Sequence, residues 1–243
     1  MSSLKKLLFL FFFMSGPLLY SATLFEELQQ SHAGEYVVFK KDGHLILFHL
    51  LSRNDRQIVI EEISLIASLF PQSWKAFFEN PEKPSLLSWS LYFFNIKKQK
   101  LTSSYELLDG EWIEKPPQFP FLPRLLALPL KKVALDERKR IGPLREDSFE
   151  DTRPFWFPRV TLDGKELPTP PVEDQAVYKA KYEDEGQPLR LVFLYFSRGD
   201  EALKHFPYWI EIQAMAGKEI FQVIDSGRGL QSPVMNNTSL FPQ

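Results

Sequence analysis

Tyr36-Val37-Val38-Phe39-Lys40-Lys41-Asp42-Gly43-His44-Leu45-Ile46-Leu47-Phe48-His49-Leu50-Leu51 is the stretch that decides the fold class. Two runs rich in β-branched, aromatic and long apolar residues flank a two-residue Asp-Gly connection. Asp and Gly both tolerate the positive φ of a tight hairpin turn, so the stretch predicts two antiparallel strands, Tyr36 to Lys41 and His44 to Leu51. Asp109-Gly110 and Asp163-Gly164 repeat the signal, and Asn54-Asp55, Glu185-Gly186 and Ala216-Gly217 are weaker turns. A chain punctuated this often has little room for helices. We expect a mainly β fold with a few short helices, in an antiparallel curved sheet, half-barrel or sandwich.

Outward from the hairpin, Gln57 to Ile63 completes a meander, and Trp89 to Lys97 and Lys100 to Leu107 add two strands. Ser73 can cap a helical turn carrying Trp74, Phe77 and Phe78. These elements form an amino-terminal block, 23–115. A carboxy-terminal block, 155–243, holds expected strands at Phe157 to Leu162, Gln175 to Tyr182, Leu189 to Phe196, Tyr208 to Ala214 and Glu219 to Asp225. Between the blocks lies a proline-rich basic connector, 116–154. Residues 116–171 carry eleven of the 19 prolines, so irregular or extended chain is expected there, with one possible helix at Leu122 to Leu135 bent at Pro129. The two blocks either fold separately or share one sheet.

The first 22 residues read as a signal peptide. Lys5 and Lys6 precede the apolar run Leu7 to Met14, and small residues end the segment at Ser21-Ala22. The run is too short to span a bilayer comfortably, and no transmembrane stretch follows. Thr23-Leu24-Phe25-Glu26 fits a helix capping box, so a mature chain is expected to begin near Thr23, with Gly34 ending the helix. With no cysteine the chain has no disulfide, thiolate metal site or thiol nucleophile, and an exported protein of that kind points to a bacterial periplasm.

Composition excludes further classes. At 44% hydrophobic and 14% aromatic the 243 residues can bury a core. The formal charge of −2 argues against a general nucleic-acid binder. Without the two leader lysines, 27 basic residues of the original 29 face 31 acidic ones, a net of −4. Against that background Arg124 to Arg145 is a strip of +5, with seven Lys or Arg against Asp136 and Glu137. It can be a solvated connector, or it can dock on anionic headgroups or an acidic envelope protein.

No catalytic constellation assembles. Gln222-Val223-Ile224-Asp225-Ser226-Gly227 resembles the catalytic-aspartate segment of subtilisin-like proteases and the Asp-Ser/Thr-Gly loop of aspartic proteases. No histidine follows it, and Arg228 stands where the aspartic enzymes keep a small residue; the segment is expected to be a strand ending in an Asx-type turn. His44 and His49 sit five apart on one strand and therefore face opposite sides. Zinc spacing is absent, so neither a metal nor another cofactor is expected. Glu61-Glu62, Glu183-Asp184-Glu185 and Asp200-Glu201 read as solvated clusters. We expect no enzyme, with a hydrolase using Asp225 as a remote alternative.

Two features suggest binding. Leu45 to Phe48 and Leu189 to Phe196 are apolar at nearly every position, so both faces of those strands must be covered. Phe155-Trp156-Phe157-Pro158 and His205-Phe206-Pro207-Tyr208-Trp209 combine bulky rings with proline, either as core anchors or as a ligand groove. Trp156, Tyr208 and Trp209, with Lys139 and Arg140 of the basic strip, are the candidate binding residues. The expected function is that of a non-enzymatic periplasmic or envelope protein taking an apolar ligand, such as a lipid or acyl chain, or an extended partner chain. In architecture such a half-barrel resembles the periplasmic lipoprotein carriers. The alternative is an assembly protein docking through residues 124–145.

Overall fold

The computed structural model describes residues 22–71, 73–80, 85–116, 121–143, 151–159, 161–162, 165–166, 168, 171–182, 189–199, 204–215, 217–237 and 240. The leader up to Ser21, the turns at Asp163-Gly164 and Glu185-Gly186, Ala216, the acidic clusters at 183–185 and 200–201, and Arg145 lie outside them. In chain order the strands are β1 (Ala22–Thr23), β2 (Tyr36–Lys41), β3 (His44–Arg53), β4 (Gln57–Ile66), β5 (Leu86–Asn95), β6 (Lys100–Leu108) and β7 (Glu111–Lys115). They continue with β8 (Pro129–Lys132), β9 (Thr161–Leu162), β10 (Lys165–Glu166), β11 (Gln175–Tyr182), β12 (Arg190–Ser197), β13 (Trp209–Ala214) and β14 (Gly217–Gly227). Three short helices are α1 (Leu24–Leu28), α2 (Trp74–Glu79) and α3 (Phe121–Ala127).

The hairpin turns form as their chemistry dictates. Asp42 and Gly43 take φ of 48° and 82°, and Asp109 and Gly110 take 51° and 84°. Adjacent strands pair antiparallel in a 12-stranded sheet of order β1-β8-β11-β12-β13-β14-β2-β3-β4-β5-β6-β7. The sheet is open among the described residues. It is curved, and four register shifts bend it, at Leu50/Ser52, Ser64/Leu65, Phe93/Phe94 and Val223/Asp225. β14 pairs with β2, so strands of both sequence blocks lie in one sheet.

Side chains alternate between two faces. The inner face carries Phe39, Phe48, Ile60 and Phe94 on one half, and Val192, Leu194, Ile210 and Phe221 on the other. α1 and α3 fill its concavity with Leu24, Phe25, Leu28, Leu122, Leu125 and Leu126, all at most 3% exposed. Phe25 meets Phe94 at 5.5 Å, and Phe121 stacks on Phe221 at 5.1 Å. Each such buried residue contributes about 1.5–3 kcal/mol of transfer free energy. α1 starts with the expected capping box, Thr23 and Glu26 each accepting the other's backbone N–H at 3.2 Å. It ends at Leu28, however, well before Gly34.

Three further expectations are corrected. The helix at Leu122 to Leu135 stops at Ala127: the residue before a proline is driven out of the α region, and Pro129 opens β8. Among the described residues of Phe157 to Leu162, strand is confined to Thr161–Leu162. The segment at Asp225 is no turn, because Asp225, Ser226 and Gly227 continue the ladder opposite Val38, Val37 and Tyr36 beyond a bulge. A Cβ on Gly227 would stand 2.8 Å from the Tyr36 ring, so that glycine serves close packing.

On the outer face of β2–β5 lies a second core of Leu47, Val59, Ile63, Leu91 and their neighbours, roofed by Trp74 and Phe77 of α2 and by Val234. It contains a correction to the acidic clusters. Glu61 is fully buried there, accepting from Trp89 Nε1 at 2.8 Å and Ser232 Oγ at 2.6 Å, with His49 Nδ1 at 2.8 Å from its other oxygen. Glu62 points to the inner face, partly buried, its Oε2 sealed from solvent without a hydrogen bond. No helix among the described residues is long and apolar enough to cross a membrane.

Candidate functional site

On the outer face of β11–β14 the covering layer is not a helix but a strap drawn from the proline-rich connector. Residues 139–141 run antiparallel to 154–156, with Trp156 N–H donating to Lys139 O at 2.8 Å and Ile141 N–H to Pro154 O at 3.0 Å. Proline denies this segment regular structure, so it borrows its ladder from itself. Arg140 fastens it: Nη1 donates to Arg153 O at 2.6 Å, Nε lies 3.7 Å from Asp151, and the guanidinium sits 4.1 Å over the Phe155 ring. The hydrogen bonds from Arg153 hold the Asp151 carboxyl down, to about 2.

The strap lays Trp156 edge-on against Tyr195 at 5.8 Å and Trp209 at 6.4 Å. Lys139 Nζ sits 4.1 Å over the Trp156 ring, a cation–π contact. Beneath it is a cavity of about 380 Å³. Its apolar wall is Val133, Val177, Phe193, Tyr195 and Trp156; its polar residues are Glu137, Arg138, Lys139, Glu211, Gln213 and Lys218. Register explains the wall, since Val177, Tyr195 and Trp209 are successive cross-strand partners, as are Lys179, Phe193 and Glu211.

Burial pushes the Tyr195 hydroxyl up to about 12, so it stays a neutral phenol. Burial alone would also raise Glu211, but Gln213 Nε2 at 2.6 Å and Lys218 Nζ at 2.9 Å outweigh it and hold the carboxylate below its ordinary range. Glu137 is held low by Lys179, whose Nζ is 2.6 Å away. Arg138 is 8% exposed and donates from Nη2 to Gln175 O at 3.1 Å, while among the described residues its Nε and Nη1 find no hydrogen-bond partner.

Of the candidate residues read from the sequence, Trp156, Trp209 and Lys139 converge here. Tyr208 stands behind the wall at 1% exposure, donating to Gln175 Oε1 at 2.9 Å, and Arg140 belongs to the strap's fastening. The basic strip is dispersed: Arg124 bonds Tyr182 at 2.6 Å, Lys131 and Lys132 lie on β8, and Arg138 is buried. Glu211 carries no local signal of its own, and Arg138 and Phe193 stand out only as members of the basic strip and of the apolar run. The apolar run of β12 announced a covered face without saying what covers it.

A larger recess of about 490 Å³ lies at the β3–β4 turn, lined by Asn54, Asp55, Arg56, Gln57, Asn95 and Thr102. It has no apolar wall, and Asn54 Oδ1 is already engaged by the N–H groups of Arg56 and Gln57. Among the described residues no three His, Asp or Glu side chains converge to hold a metal.

Comparison with known proteins places the fold and the family. The 2.0 Å structure of the hypothetical protein CT021 from Chlamydia trachomatis superposes with a TM-score of 0.58 at 17% sequence identity, covering 87% of this chain and 95% of that one. No curated protein matches the sequence. Residues 46–168, just over half of the chain, match the CT021 protein family. That segment runs from near the start of β3 through the strap, and the chain belongs to the CT021 family.

Proposed function

We propose that this chain is an exported, non-enzymatic protein of the cell envelope that binds an apolar ligand, a lipid or acyl chain, in the strapped cavity. The carrying observation is the aromatic wall of Trp156, Tyr195 and Phe193 around a cavity of about 380 Å³. Small-molecule sites are typically concave, mostly apolar and roughly 300–1,000 Å³, with a few polar groups for orientation. By contrast the concave inner face is packed with α1 and α3, so among the described residues the outer face offers the better berth.

Calorimetric titration with octanol tests this reading. The wild-type chain should bind it, and Trp156→Ala should weaken binding about tenfold or more, the loss of one aromatic anchor. Trp156→Phe should retain most of the affinity. A wild-type chain that ignores octanol, or a Trp156→Ala variant that binds it equally well, overturns the reading.

Export rests on the leader and on the chemistry at Thr23. Its N–H already donates to Glu26 Oε2 at 3.2 Å, so a freed ammonium there would gain an ion pair. Mass spectrometry of the envelope fraction should find a chain beginning at Thr23. Recovery of the protein with Met1 in place would refute export by cleavage.

A further inference from the structure

Arg138 is the outstanding electrostatic feature of the cavity. A buried guanidinium ordinarily sits against a carboxylate, because taking its charge out of water is expensive without a compensating partner. Among the described residues Nε and Nη1 have no hydrogen-bond partner, and the side chain bonds only a neutral carbonyl, Gln175 O at 3.1 Å. The two carboxylates that line the cavity do not supply the missing charge. Glu211 is taken by Lys218 at 2.9 Å and Glu137 by Lys179 at 2.6 Å. Lys139, the neighbouring cation, rests on the Trp156 ring at 4.1 Å. Among the described residues the cavity thus holds apolar walls on one side and, on the other, a guanidinium with no carboxylate against it beside Lys139, which shares the field of Glu211 with Lys218.

Resting on the reading that the cavity takes an apolar ligand, we infer that the ligand is an anionic amphiphile. Its carboxylate or phosphate group is held by Arg138 with Lys139, and its apolar part lies against Trp156, Tyr195 and Phe193. The planar guanidinium suits either acid, because it offers parallel N–H donors to two oxygens at once. Burial also depresses the guanidinium's own proton affinity, and an anion docked beside it relieves that penalty.

The test compares octanoate, octyl phosphate, octanol, octyltrimethylammonium and inorganic phosphate on the full chain by calorimetry. Octanoate or octyl phosphate should bind at least about tenfold tighter than octanol, as expected for a charge-assisted hydrogen bond in a dry site. Arg138→Gln should bring the anions down to the level of octanol and so abolish their preference over it. If that variant does not fold, the wild-type ranking still decides. Equal affinity for octanoate and octanol, or a preference for octyltrimethylammonium, overturns the inference and leaves the apolar site standing. Inorganic phosphate binding in an Arg138-dependent way without any octanol binding would keep the anion site and overturn the apolar one.

Discussion

Glu61→Ala is expected to lower the free energy of unfolding by about 3–5 kcal/mol, a large part of the roughly 5–15 kcal/mol that holds an ordinary domain together. The carboxylate is fully buried and accepts from three elements at once: Trp89 on β5, His49 on β3 and Ser232 in the carboxy-terminal segment. For the carboxyl group to accept from all three, His49 carries a ring proton at Nδ1. Removing it strands three donors in an apolar surround, each costing about 1–3 kcal/mol, and leaves a cavity under α2. Ser232→Ala should cost less, about 1–2 kcal/mol, because Trp89 and His49 still satisfy the carboxylate. Urea denaturation at neutral pH measures both. A loss below about 1 kcal/mol for Glu61→Ala would show that the network is replaceable by water, contrary to its burial.

Its neighbour Glu62 should make stability fall as pH rises. Burial pushes this carboxyl up to about 7, and a hydrogen bond from Tyr92 offsets only part of that rise. Tyr92 is itself raised, first by burial and then by the Glu62 charge. The folded state therefore holds a proton that the unfolded chain releases near its ordinary value of about 4.3. The associated stability is fully present below that value and is lost progressively as pH climbs toward about 7. Above pH 7 the folded chain carries a buried charge that costs up to about 3 kcal/mol. Glu62→Gln, neutral at every pH, should be more stable than the wild type at pH 8 by about 1–3 kcal/mol and close to it at pH 5. Unfolding curves at the two pH values, run side by side, decide the point. Parallel stability profiles would remove Glu62 as the cause.

These adjacent glutamates show why sequence reading reached the fold sooner than the site. That successive strand residues face opposite ways follows from geometry alone, and Glu61 and Glu62 do part company in that way. Which face is dry does not follow, because α2 and the Ser232 segment arrive from elsewhere in the chain to seal Glu61. Arg138 repeats the lesson. Within Arg138-Lys139-Arg140 three similar cations take three different roles: a buried guanidinium in the cavity wall, an ammonium over Trp156, and a strap fastener at Asp151. They lie in irregular chain just past a turn, with only Arg140 in a bridge, and the partners that define each role come from other stretches of the chain.

The sequence by itself determined the class and much of the strand layout. Asp-Gly turns, alternating or doubly apolar runs, and a proline that ends a helix act within a few residues, so the chain declares them locally. It also singled out Trp156, Tyr208, Trp209, Lys139 and Arg140, of which the fold brings Trp156, Trp209 and Lys139 together. Only the tertiary structure decided that β14 closes onto β2, that α1 and α3 occupy the concavity, and that the proline-rich strap roofs the opposite face. Those choices depend on which apolar surface finds which cover across long stretches of chain. No local propensity encodes that matching, and the strapped cavity with the buried Arg138 in its wall exists only because of it.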